Sequence, residues 1–135
     1  MTQLSKNFSL AEMTRSYIAS KNGIDNTAPP DIVVNLADFA RRLELIRITI
    51  ARPMIITSGY RCPELNMIAR GRSKSAHMEG RAAHIADDRE RTLARFCLAN
   101  ANLLRTAGLW LENPEATPGW IHLQSRPAAA RVFNP

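Results

Sequence analysis

Three histidines, His77, His84 and His122, are the side chains of this sequence best suited to hold a metal ion together. Imidazole nitrogen binds zinc at roughly 2.0–2.1 Å, and three such donors with a water complete the tetrahedron the ion prefers. His77 and His84 are seven positions apart, which exceeds roughly 20 Å in a straight strand. A shared metal therefore requires the chain to double back between them. Gly80, in His77-Met78-Glu79-Gly80-Arg81, can take the backbone angles of such a turn. His84 then shares a strand face with Ala82 and Ala86, whose small side chains leave room beside it. His122 faces the same space if its own strand pairs beside that one. Spacing alone leaves open whether the three meet.

The elements that must position them can be read from periodicity and turn chemistry. Ser9-Leu10-Ala11-Glu12 has the spacing of a capping box and starts a short helix, which the turn formers of Asn22 to Pro30 end. From Asp31 to about Ala51, Val33, Leu36, Phe39, Ala40, Leu43, Ile46 and Ile50 recur at three and four, the stripe of a core helix. Pro53 stops it. Met54 to Ser58 reads as a buried strand, Pro63 to Ala69 as a short helix with proline in its first turn, and Arg70 to Ala76 as a basic, glycine-containing loop. Ala82 to Ala86 is a second strand, and Asp88 to about Leu104 a second long helix that Asp87 and Asp88 cap and charge. Leu109 to Glu112 and Trp120 to Gln124 are strands joined by a turn-rich segment, most simply a hairpin. In its second strand Trp120, His122 and Gln124 share one face, and Ile121 and Leu123 the other. The expected architecture is α+β, one domain over residues 1–135, with helices flanking a small, largely antiparallel sheet.

The totals agree with an ordinary globular chain: 135 residues, 45% hydrophobic and 22% charged, which is not a disordered composition. A net charge of +6 and a pI near 10.1 favour anionic partners. The basic residues are scattered, and the aromatics, 6% of the chain, do not interleave with them as base-stacking platforms would, so no nucleic-acid partner is expected. Cys62 and Cys97 have no zinc-finger spacing. No run is apolar enough for a signal peptide or a membrane span, so the product is expected to be cytoplasmic as synthesised and to act outside the membrane only through lysis or another export route.

Ser75-Ala76-His77-Met78-Glu79-Gly80-Arg81-Ala82-Ala83-His84 resembles the Ser-x-His-x-x-Gly-x-Ala-x-Asp signature of the zinc D-alanyl-D-alanine carboxypeptidases and endolysin endopeptidases, a family that shares its fold with the Hedgehog signalling domain. Four of the five fixed positions match. Ser58-Gly59-Tyr60-Arg61 with Asn66 is similar to a second segment of that family, Trp120-Ile121-His122 to its Trp-x-His strand, and Leu4 to Glu12 to the opening of small phage and prophage members. The resemblance implies a zinc metallopeptidase acting on the peptides of peptidoglycan. His77 and His122 are then zinc ligands, Arg61 pairs with the substrate's terminal carboxylate through its planar fork, and Ser75 hydrogen-bonds the peptide near the scissile bond. Without the resemblance, Arg61 reads as a turn arginine and Ser75 as a capping serine.

Two departures from the pattern matter. The implied second ligand is an aspartate, and His84 stands there. Imidazole is an accepted zinc ligand, but it is longer and neutral, so a three-histidine site carries one more positive charge. The implied general base lies three residues before the last ligand, and that position is Gly119, which has no group to move a proton. Glu112 in the preceding strand is the preferred substitute, ahead of Glu115 in the connecting loop. A second reading, a catalytically inactive wall-binding or virion-structural module with the same fold, rests on these same two departures.

Overall fold

The computed structural model describes residues 2–135. Two short helices open the chain. In α1 (Leu10–Thr14) the capping box forms as expected: Ser9 Oγ accepts from Glu12 N, and Glu12 Oε1 accepts from Ser9 N, each at 3.1 Å. The expected single helix is interrupted at Arg15 and restarts as α2 (Tyr17–Lys21), because Ser16 caps a new N-terminus by accepting from Ala19 N. The long helix α3 (Pro30–Ile50) begins with proline, whose missing N–H is not needed in a first turn, and buries Leu36, Phe39, Ala40, Leu43 and Ile46 completely.

Five strands follow the order β1-β2-β4-β3-β5, where β1 is Ile56–Ser58, β2 Ala82–Ala86, β3 Trp110–Glu112, β4 Trp120–Gln124 and β5 Val132–Phe133. The expected hairpin is present: β3 and β4 are antiparallel, with Trp110 opposite Gln124 and Leu111 opposite Leu123. β2 pairs antiparallel with both β1 and β4. The sheet is nevertheless mixed rather than largely antiparallel, because β5 returns to lie parallel to β3, placing Val132 beside Leu111 and Phe133 beside Glu112.

Alternation divides the sheet into two chemically different faces. Ala83, Ile85, Leu111, Ile121 and Leu123 are fully buried and join the α3 stripe in the core. The opposite face presents His84 from β2, Trp120, His122 and Gln124 from β4, and Glu112 from β3.

The expected second long helix is two: α5 (Thr92–Ala99) and α6 (Ala101–Ala107). Asn100 leaves helical geometry, and its side-chain amide donates to Phe96 O at 2.8 Å, consuming an acceptor that a continuous helix would use. Asp87 and Asp88 do cap this segment. Asp87 carboxylate oxygens accept from Leu93 N and Ala94 N, and Asp88 Oδ1 accepts from Thr92 N. Between β1 and β2 lie α4 (Pro63–Ile68) and a 3₁₀ turn, Ala76–Glu79. Among the described residues no helix is long and apolar enough to cross a membrane.

Candidate metal centre

His84 and His122 stand directly opposite each other on β2 and β4, and the antiparallel ladder aims both at one space. His77 arrives from the 3₁₀ turn. Gly80 ends that turn with φ 69° and returns the chain into β2, and a side chain there would press on Ile32, with a Cβ 2.9 Å from its Cγ2. The doubling-back required by the His77–His84 spacing is thus made at Gly80 and seated against α3.

One ring nitrogen from each histidine lies within 4.8 Å of the others, and His77 Nε2 is 3.2 Å from His84 Nε2. Two nitrogens at about 2.05 Å from a tetrahedral zinc are about 3.3 Å apart, so the pair already has the separation a shared ion needs. The hydrogen bonds fix which nitrogens are free. His77 Nδ1 faces the carbonyl of Gly59 at 2.8 Å; a carbonyl only accepts, so Nδ1 carries the hydrogen and Nε2 keeps its lone pair. His122 Nε2 faces Gln124 Oε1 at 2.8 Å, and Gln124 Nε2 donates to Arg126 O, which orients the amide. His122 Nε2 therefore donates, and its free lone pair is on Nδ1.

Burial, with the Arg61 guanidinium adding to it, holds His77 well below the ordinary histidine range. Burial followed by the neighbouring His122 pushes His84 down to about 3. Burial likewise lowers His122, against the opposing pull of its bond to Gln124. Metal ligation needs neutral imidazole, and all three are neutral near pH 7. The donor set fits a zinc ion: three neutral nitrogens, two of them with the tautomer fixed by a second hydrogen bond.

The histidines line a cavity of about 490 Å³ that also contains Arg61, Ser75 and Glu112. The three histidines, Arg61, Ser75 and Glu112 thus line one cavity. Arg61 is half-buried and its Nη1 donates to Asn66 Oδ1 at 3.4 Å. Ser75 caps the 3₁₀ turn by accepting from His77 N at 3.2 Å, which leaves its hydroxyl hydrogen free for the cavity. Glu112 lies two residues from Trp110 in β3 and so shares the sheet face of Gln124 and His122. Burial raises its carboxyl above the usual range, against a lowering by Arg72. Gly119 and Glu115 are exposed and do not line the cavity.

A family model described as peptidase M15 matches residues 6–124. The chain belongs to the peptidase M15 family. No curated protein matches it. The matched segment of this M15 chain contains the three histidines, Arg61, Ser75 and Glu112, and ends at Gln124, while β5 beyond it still contributes Phe133 to the cavity wall.

Gln124 and Trp120, which share the His122 face of β4, have roles in this M15 cavity that strand alternation alone does not specify. Gln124 orients His122, and the alternation that puts it on the histidine face was its only signal. Trp120 lies against His84, ring centroids 5.7 Å apart, and its Nε1 is a buried polar atom without a partner among the described residues.

Proposed function

We propose that the protein is a zinc metallopeptidase that hydrolyses an amide bond in peptidoglycan stem peptides, of the D-Ala-D-Ala carboxypeptidase or endopeptidase type. The observation that carries this reading is the convergence of one ring nitrogen from each of His77, His84 and His122 at a cavity that Glu112 also lines. Membership of the peptidase M15 family supports it.

His77, His84 and His122 hold the ion. Zinc bound there supplies a Lewis acid toward an amide carbonyl and makes water acidic enough to attack near neutral pH. Arg61 binds a carboxylate of the peptide, for which guanidinium is a planar and permanently charged fork. Ser75 donates to a peptide carbonyl while its oxygen continues to accept from His77 N. Glu112 takes the proton from the attacking water and passes it to the departing amine, so that amide and water become carboxylate and ammonium. Its raised pKa suits a group that must both accept and return a proton.

Purified cell-wall fragments incubated with the protein should release new amino groups, and a chelator should stop the release. Binding to wall without any metal-dependent release would instead support the inactive wall-binding or virion-structural module, which the absence of an acid at Gly119 favours.

A further inference from the structure

Arg61 and the Gly59 carbonyl that orients His77 both belong to residues 59–62, a stretch with neither helix nor strand geometry. Irregular backbone has no ladder to satisfy its polar groups, so each needs a partner from elsewhere. Tyr60 N donates to Met13 O at 2.7 Å, and Arg61 N donates to His77 O at 3.1 Å. The peptide groups on either side of Arg61 go to a single side chain. Asn26 Nδ2 donates to Tyr60 O at 2.9 Å, and Asn26 Oδ1 accepts from Cys62 N at 2.8 Å. A carboxamide has two N–H donors, and the second reaches Thr14 O at 2.8 Å, at the end of α1.

Asn26 comes from the turn-rich segment between α2 and α3, where Asp25 shapes the chain around it. Asp25 Oδ1 accepts from Thr27 N at 2.9 Å and from Thr27 Oγ1 at 2.6 Å, the local bonding that suits aspartate to turns. Gly59 lies against the end of α1, and a Cβ there would collide with Met13 O. Residues 59–62 are therefore pressed against α1 on one side and bonded on the other to the 3₁₀ turn that carries His77, with Asn26 bracing both peptide groups of Arg61. The Arg61 side chain is itself loosely held, its one bond within the protein being 3.4 Å to Asn66 Oδ1. The direction of its guanidinium is thus set chiefly by the backbone that Asn26 braces.

We propose that Asn26 is a positioning residue of the histidine cavity: through the backbone of residues 59–62 it fixes both the direction of the Arg61 guanidinium and the carbonyl that holds the His77 tautomer. Its action on Arg61 rests on the reading of that guanidinium as the anchor for a substrate carboxylate. Its action on His77 does not, since Gly59 O and His77 Nδ1 meet whatever the cavity binds. Asn26 itself does not line the cavity, so it acts on both groups at one remove.

The test compares three variants of the full chain. Asn26→Ala loses all three bonds; Asn26→Asp keeps the bulk and the acceptor for Cys62 N but loses both donors, and serves where the alanine variant does not fold. Glu44→Ala is the control for lost stability alone. Glu44 accepts from Ser5 Oγ, Asn7 N and Asn7 Nδ2, tying the N-terminal segment to α3, and does not line the cavity. Zinc affinity, measured by competition with a chromogenic chelator, should fall about three- to tenfold in both Asn26 variants, less than for a residue bonded directly to a ligand. It should stay native in Glu44→Ala. With zinc saturating, KM for wall peptides should rise about fivefold in the Asn26 variants and kcat should change less, as expected when a charged contact to the substrate is weakened in ground and transition state alike. Native zinc affinity in a folded Asn26 variant, or an equal loss in Glu44→Ala, would overturn the proposal. A native KM beside a lowered zinc affinity would overturn its Arg61 half. Zinc affinity lowered in the Asn26 variants alone, with no wall peptide cleaved by the wild type, supports the bracing of His77 and sinks the hydrolytic reading. Cleavage by the wild type, with native KM and zinc affinity in the Asn26 variants, does the reverse.

Discussion

His77 and His84 bring their Nε2 atoms to 3.2 Å although seven positions separate them, and Gly80 makes the reversal at φ 69°. An L side chain at that φ is strained, and Ile32 leaves no room for a Cβ. Gly80→Ala should therefore destabilise the fold by about 1–3 kcal/mol, read as a lower midpoint in denaturant, and weaken zinc binding as the two rings separate. An unchanged midpoint with unchanged zinc affinity would show that the turn does not set the site.

Gln124 fixes the tautomer of His122 by accepting from Nε2 at 2.8 Å. Replacing it with methionine keeps the bulk and removes the acceptor. Zinc affinity, measured by competition with a chromogenic chelator, should drop about 10- to 100-fold, the usual effect of losing a hydrogen bond behind a ligand. A native affinity in Gln124→Met would mean that His122 needs no such support.

Glu112→Gln removes the proton carrier and preserves shape. Turnover on wall peptides should fall by roughly 10² to 10⁴ with zinc content unchanged. In the wild type the acidic limb of the rate profile should report this carboxyl, which burial raises and Arg72 lowers in the metal-free protein, and the limb should be lost in the variant. Retained turnover in the variant would remove Glu112 from the mechanism and return attention to the loop that holds Glu115.

The depressed histidines make the metal-free protein sensitive to acid. In the unfolded chain they titrate near 6.5, whereas burial keeps all three neutral to lower pH in the fold. Below about pH 6.5 the unfolded chain takes up protons that the native chain refuses. Their contribution is fully present above that pH and is lost as pH falls toward about 3, the folded value of His84. The melting temperature of the metal-free protein should decline from pH 7 to 5, and His84→Asn should decline less steeply. Equal slopes would contradict this.

Much of the site was legible because its residues sit on strands with a period of two. That period placed His84 between Ala82 and Ala86 and grouped Trp120, His122 and Gln124 on one face. The Gln124–His122 bond was not legible, since a shared face does not specify which side chains touch. The parallel strand Val132–Phe133 was missed because two residues carry no period. The break at Asn100 was missed because apolar spacing continues across it, and only the side-chain bond to Phe96 O reveals the cost of helical geometry there.

The central claim, that His77, His84 and His122 form one metal centre, is tested most directly by the zinc content of purified protein after dialysis against metal-free buffer. About one zinc per chain should remain in the wild type, and His77→Ala, His84→Ala and His122→Ala should each lose it while keeping the native circular dichroism spectrum. A wild type without zinc after exposure to the ion, or full zinc retention in any one of the three folded variants, would contradict the account.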